Sequence, residues 1–417
     1  MTTPTLKIAI RKFTPFEDAI RKQFADFRTT QNVDCALHAE SLDLDPLTEA
    51  MFDQGGLKNG DWDIGFIVTD WLPMASAGGH ILDLAPLFDA NPVPNYPEAW
   101  SPSLTGMQRI GDRLFGLPYH DGPQCLIYRK DMFADPAHRQ AFQRRHGRPL
   151  AIPDSWDDYL DVVAYFSRAE EDRYGTVLAA FPDGHNAVYD FCIHLWTRGG
   201  ELVDSNGKPT LATEPAAAAL DFYRALAKRG GELVHPHPQE IDSVKSGEIF
   251  AEGRIALMTN WFGFAAYAAS YPESKVRGLV DVAPIPRGTG GDAVSLNVYW
   301  VLAIGSGSRH PELAYRFIKH CLTPPMDKIT TIEGAIGCRL STWRDPEVNA
   351  LVPFYNKLGS LHEKARQLPF DQRFPALAHI IDHLVTEAIE GDAASTTLLA
   401  RAQAEAEQAF APGRPQP

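Results

Sequence analysis

Apolar residues fall along the chain in two recurring forms, short unbroken runs and spaced stripes. Leu6–Ile10 is a short apolar run bounded by Arg11 and Lys12, which reads as a buried strand. Phe13-Thr14-Pro15-Phe16 then turns the chain. Across residues 17–29, Ala19, Ile20, Phe24 and Phe27 recur at helical spacing. Val33–Ala39 resumes an extended pattern. Asp45–Met51 reads as a helix with Pro46 in its first turn, and Asp63–Val68 is another buried strand. This β-α-β-α-β opening predicts a parallel sheet covered by helices.

Further on, Arg113–Tyr119 and Gln124–Tyr128 read as short strands around an Asp121-Gly122-Pro123 turn. Pro153–Ser167 reads as a helix that Asp154 or Ser155 can cap. Its apolar stripe is Trp156, Tyr159, Leu160, Val163 and Phe166. Residues 187–197 and 214–229 are also helical in pattern. Ala251–Met258 is strand-like and ends at Thr259-Asn260-Trp261, and Val280–Pro284 and Tyr299–Ile304 are strands. Pro311 opens a helix to Cys321. The last ~65 residues read as mostly helical, with Pro412–Pro417 as a frayed tail. No repeat of solenoid period and no Gly/Ser linker divides the chain. Trp62, Trp156 and Trp196 are expected to be structural. Trp300 alternates with Tyr299 along its strand and is expected to face the core.

The 417 residues predict two or three domains. With 44% hydrophobic and 22% charged residues, the composition is that of a folded protein. No apolar run approaches the ~18 residues of a membrane span. The net charge of −14 disfavours nucleic acid or anionic lipid as the main partner, because neutralising phosphate needs a basic face. Cys35, Cys125, Cys192, Cys321 and Cys338 are odd in number and include no CxxC, so neither a disulfide framework nor structural zinc is indicated. The first residues carry no charged n-region, apolar h-region or cleavage site. The expectation is either a cytosolic protein or one from which an export signal has been removed.

Short catalytic motifs are missing from the sequence. It has no GxxxxGK[ST] and no GxSxG. Gly288-Thr289-Gly290-Gly291 and Gly305-Ser306-Gly307-Ser308 match no dinucleotide fingerprint and read as loops. His379 and His383 lie one helical turn apart without the glutamate of a zinc-protease helix. His235-Pro236-His237-Pro238 offers two histidines and no third ligand. Neither pair calls for a metal, and no cofactor is implied. Adjacent carboxylates such as Asp61/Asp63 and Glu170/Glu171 keep a carbohydrate-active hydrolase open as an alternative.

Seven segments carry a resemblance through their order. They are Gly60-Asp61-Trp62-Asp63-Ile64-Gly65-Phe66-Ile67-Val68-Thr69-Asp70-Trp71, Gly79–Leu87, Gly111-Asp112-Arg113-Leu114-Phe115-Gly116-Leu117-Pro118-Tyr119, Leu126–Phe133, Pro153-Asp154-Ser155-Trp156-Asp157-Asp158, Phe250–Met258 and Pro284-Ile285-Pro286. The series resembles the extracellular solute-binding proteins of ABC importers, in the sugar-binding group that includes maltose-binding protein. The likeness runs from about residue 6 to about residue 345.

The resemblance implies an α/β, two-lobed periplasmic-binding-protein (Venus-flytrap) fold of class II type with three interlobe crossings, placed near residues 121, 281 and 322. Lobe one is then 1–121 plus 282–322, and lobe two is 122–281 plus 323–417. It further implies a monomeric receptor that holds a sugar, sugar derivative or polyol in the interlobe cleft, closes by a hinge, and hands the ligand to a membrane permease. No catalytic residue and no nucleic-acid partner is expected. The location implied is periplasmic or extracellular. A cytosolic sugar sensor on the same scaffold is the third reading.

In parallel α/β lobes, ligands meet the loops at the carboxyl ends of strands. That rule selects Lys12, Phe13, Thr14 and Glu17 after the first strand, and Glu40 and Ser41 at the second. Asp70 and Trp71 follow the third, and the resemblance supports Asp70 as a hydroxyl acceptor. Tyr119, His120 and Asp121 stand near the first crossing. In lobe two the candidates are Asp183, His185, Asn186 and Tyr189, then Asn260 and Trp261, where the family commonly puts an aromatic platform. Asn297 and Tyr299 begin a strand where the family more usually has glycines. Arg339, in Gly334-Ala335-Ile336-Gly337-Cys338-Arg339, matches a family loop that often reaches the cleft. Aromatic faces take carbohydrate C–H surfaces, and charged groups make strong hydrogen bonds to hydroxyls. If the acidic candidates line the cleft, sugar acids are disfavoured, unless Lys12, His120 and Arg339 reverse the balance.

Overall fold

A computed structural model describes residues 3–411; the Pro412–Pro417 tail lies outside them. Its strands in chain order are β1 (Thr5–Arg11), β2 (Ala36–Leu42), β3 (Ile64–Val68), β4 (Arg109–Ile110), β5 (Arg113–Leu114) and β6 (Leu117–His120). They continue with β7 (Gln124–Arg129), β8 (Leu257–Trp261), β9 (Val280–Ala283), β10 (Ser295–Leu296), β11 (Trp300–Ile304) and β12 (Ala365–Arg366).

The chain divides into two compact units. Unit 1 holds the described residues through Gly122, with Val298–Gly359 and Phe370–Gln372. Unit 2 holds Pro123–Asn297, Ser360–Pro369 and the described residues from Arg373 onward.

Unit 1 is built on a five-stranded sheet in the order β2-β1-β3-β11-β6. β1 runs parallel to β2 and β3, whereas β11 is antiparallel to both β3 and β6. The carboxyl ends of β1, β2, β3 and β6 and the start of β11 therefore share one edge of the sheet. The first helix, Thr14–Thr30, places Phe16, Ile20, Phe24 and Phe27 inward. Glu17 in its first turn and Arg28 in its last suit the helix dipole.

In unit 2, β7 lies between β8 and β9 and is antiparallel to both. Ser155, one of the two expected caps, accepts a hydrogen bond from Asp158 N at the start of helix Trp156–Phe166. Helices Asn186–Trp196, Glu214–Ala227, Phe374–Glu390 and Ser395–Ala409 pack together.

Several boundaries differ from expectation. The crossings are expected near residues 121, 281 and 322; the chain passes between the two compact units at 122/123, 297/298 and 359/360, with a further excursion at 370–372. Residues 282–297 stay with unit 2 because β9 pairs with β7, and β10 pairs with β12. Residues 323–359 belong to unit 1. There the Gln23 amide, inside the first helix, donates to Met326 O (2.9 Å) and Thr330 Oγ1 (2.8 Å). Across 250–258 the helix Ser243–Ala251 ends first. Gly253 then turns the chain with φ of +85°, and the strand starts only at Leu257. Arg113–Tyr119 is broken into β5 and β6 around Phe115-Gly116.

The Gly305-Ser306-Gly307-Ser308 loop shows why its glycines are there. Gly307 N donates to Leu57 O at 2.8 Å, and a Cβ on Gly307 would meet Lys58 O at 2.0 Å. Only a residue without a side chain lets these two backbones approach. Gly307→Ala is expected to lower the unfolding free energy by about 1–3 kcal/mol, measurable as a lower urea midpoint with an unchanged slope.

Candidate functional site

The shared sheet edge of unit 1 gathers side chains from all five strands. At the end of β1, Lys12 Nζ reaches Asp43 Oδ2 (3.0 Å), and Arg11 Nη1 reaches Asp43 Oδ1 (3.1 Å). Asp43 directly follows β2. Burial works to raise its pKa, but the hydrogen bonds from Lys12 and Arg11 outweigh it and hold the carboxyl below its ordinary value. Half-exposed Phe13 packs edge-on against Phe16, with ring centres 5.2 Å apart.

After β3, Thr69–Trp71 forms a single 3-10 turn that carries Asp70 and Trp71 to the same edge. Asp70 is 4% exposed. Trp71 is also buried, edge-on to Phe52 and to Trp300, each at 5.9 Å. Trp300, expected in the core, is half-exposed, and Tyr299 is the buried member of the pair at 0% exposure. The alternation is real but its sense is reversed. Gln108 Nε2 donates to the Tyr299 hydroxyl inside the unit at 2.9 Å, which fixes Trp300 on the other face. Trp300 joins Phe16, Phe66 and Trp71 in one aromatic cluster. Sequence reasoning missed it; its register opposite Val68 at the end of β3 is what brings it to the edge.

The β6 end contributes His120 and Asp121. His120 packs 4.7 Å from Phe16, and its Nδ1 accepts the Ile336 N–H at 2.9 Å. Burial pushes the imidazole pKa down to about 4, against the pull of Asp121, so the ring is neutral at pH 7. Asp121 is 1% exposed and donates its own N–H to Ile336 O.

Other candidates of unit 1 lie elsewhere. Tyr119 is buried, and its hydroxyl donates to Gln23 Oε1. Thr14 is exposed at the start of the first helix. Alternation along β2 separates its two candidates. Ser41 lines a groove between the first helix and the sheet together with Glu17, while Glu40 is exposed beside His38. Arg339 is 3% exposed. Its Nη1 donates to Leu322 O (2.8 Å), and its guanidinium lies 4.3 Å from the centre of the Trp100 ring. Asp327 anchors that loop by accepting from Cys338 N, Arg339 N and the Thr342 hydroxyl.

Unit 2 carries a second aromatic group. Trp261, the last residue of β8, is half-exposed and edge-on to Tyr189 at 5.6 Å; Tyr189 in turn meets His185 at 5.4 Å. Asp183 accepts from the N–H groups of His185 and Asn186 at the start of helix Asn186–Trp196. The Asn186 amide bonds Asp183 and Ser243 N. Asn260 donates to Ser243 O and Ser246 Oγ and accepts from Trp261 N. These three polar groups thus hold the unit's own loops. Asn297 is buried and donates its N–H to Arg366 O. Exposed Phe181, two residues before Asp183, is a further aromatic that the sequence reading did not single out.

His379 and His383 are exposed on their helix, and Asp382 between them is buried. Among the described residues, no group of three or more His, Cys, Asp or Glu is arranged to hold a metal ion, and no helix is long and apolar enough to cross a membrane.

A Deinococcus radiodurans protein named "Probable ABC transporter-binding protein" is 24% identical over 322 residues, covering 76% of this chain and 71% of that one. The solute-binding protein of an ABC transporter from Agrobacterium radiobacter K84, solved with ribitol, superposes with a TM-score of 0.85 at 23% identity, covering 98% and 99% of the two chains. MalE3 of T. maritima, solved with maltose, gives 0.85 at 21% identity over 97% of this chain and 100% of its own. These likenesses establish a MalE-like fold. The family model "Bacterial extracellular solute-binding protein" matches residues 48–328, and the chain belongs to that family.

Proposed function

We propose that this chain is the substrate-binding protein of an ABC importer. It takes up a sugar, sugar derivative or polyol outside the cytoplasm and delivers it, chemically unchanged, to a membrane permease. It acts as a monomer and performs no catalysis. The observation that carries the reading is the sheet edge of unit 1, where buried Asp70 and Asp121 stand among Phe13, Trp71 and Trp300. Carboxylates accept hydroxyl hydrogens, and aromatic faces cover the C–H surface between them. The ribitol and maltose held by proteins of the same fold support a hydroxyl-rich ligand.

The Trp261–Tyr189–His185 group of unit 2 contributes a second aromatic surface. Trp300→Ala and Trp261→Ala are each expected to weaken binding about tenfold, or about 1.4 kcal/mol, as read by calorimetric titration. A thermal-shift screen over polyols, monosaccharides and disaccharides tests the function itself. A true ligand at 100 times its Kd stabilises the fold by about 2.7 kcal/mol. Products appearing from any incubated oligosaccharide would replace this reading with a hydrolase.

A further inference from the structure

Resting on the proposed function, we infer that Asp43 is a specificity-determining residue. By holding Lys12 and Arg11 together, it leaves the sheet edge of unit 1 suited to uncharged hydroxyl compounds and unsuited to sugar acids and sugar phosphates.

Lys12, Arg339 and His120 are the basic candidates for an anionic ligand, and each is otherwise engaged. Lys12 Nζ is 3.0 Å from Asp43. The Arg339 head is buried on Leu322 O and the Trp100 ring. His120 uses its Nδ1 to accept the Ile336 N–H, so that nitrogen carries no proton. Arg11 is drawn to the same carboxylate as Lys12, at 3.1 Å. Any anion approaching Lys12 therefore meets Asp43 as well. Asp70, after the adjacent β3, and Asp121, after β6 at the far side of the sheet, are buried carboxylates, 4% and 1% exposed. A second negative charge placed among them is repelled at low effective dielectric, while a neutral hydroxyl is accepted as a hydrogen-bond donor.

The test compares matched pairs by calorimetry on the full chain: ribitol with ribonate, mannitol with mannonate, and maltose with maltobionate. Whichever neutral member binds, its acid is expected to bind at least about tenfold more weakly. Asp43→Asn is expected to narrow that gap severalfold by strengthening the acid's binding relative to that of its neutral partner. An acid that binds wild type as tightly as its neutral partner, or a gap unmoved in Asp43→Asn, overturns the inference while leaving a carbohydrate receptor intact. Failure of every compound to bind overturns the proposed function and this inference with it.

Discussion

Asp327→Ala is expected to lower the unfolding free energy by about 3–5 kcal/mol. The carboxylate is 2% exposed and accepts from Cys338 N at 2.8 Å, Arg339 N at 3.1 Å and the Thr342 hydroxyl. Alanine leaves three buried donors without that acceptor, and each such group costs about 1–3 kcal/mol. It also removes the negative charge that supports the buried Arg339 guanidinium, whose own pKa burial depresses. Gly337 packs directly against this carboxylate: a Cβ there would lie 2.6 Å from Asp327 Oδ2. Asp327→Asn keeps one acceptor oxygen and should fall between wild type and alanine. Urea denaturation of the three proteins checks the order. Equal midpoints would show that the loop carries its own stability.

The second large effect is a pH dependence centred on Asp190. This residue follows Tyr189 on helix Asn186–Trp196 and is buried, with the Tyr223 hydroxyl donating to its Oδ2 at 3.0 Å. Burial lifts its pKa from 3.8 to about 7, against the Tyr223 hydrogen bond, which lowers it. His194, one turn further along, brings no compensating charge, because burial and then Arg198 hold its pKa well below the ordinary value. An acid whose pKa rises on folding favours the folded state while it is protonated. That contribution is complete below pH 3.8 and is lost as the pH climbs through about 7. The full gap corresponds to at most about 4 kcal/mol. Asp190→Asn should therefore match wild type near pH 4 and exceed it by about 2–4 kcal/mol at pH 8. Denaturation at the two pH values reads this directly. A constant difference between the proteins at both would mean that Asp190 ionises as freely in the fold as out of it.

Legibility in the sequence tracked the range of the physics involved. Local patterns placed most elements well: the run at Leu6–Ile10 became β1, and Pro311–Cys321 became a helix with those bounds. What local pattern does not encode is tertiary partnership. The helices after residue 323 read as generic, and only the Gln23 contacts to Met326 and Thr330 reveal which unit they serve. Alternation separated Tyr299 from Trp300 correctly but gave no hint of which face pointed inward, since both residues are large and aromatic. The strand-end rule found Asp70, Trp71, His120 and Asp121 at one edge. It also selected Asn186, Asn260 and Arg339, whose polar groups the structure engages in its own loops. Residue type shows capacity for hydrogen bonding. Whether that capacity is already used depends on contacts far away in the chain.

On the proposed function, this protein holds a hydroxyl-rich solute and returns it unaltered. Saturation-transfer NMR on a mixture of ribitol, mannitol and maltose with the purified chain addresses it most directly, followed by removal of the protein and re-measurement of the solutes. The expected result is transfer to one or more of the solutes, competed by an excess of that compound, with the full quantity recovered chemically intact. Transfer to none of them, or recovery of cleaved or otherwise modified sugar, would contradict the account.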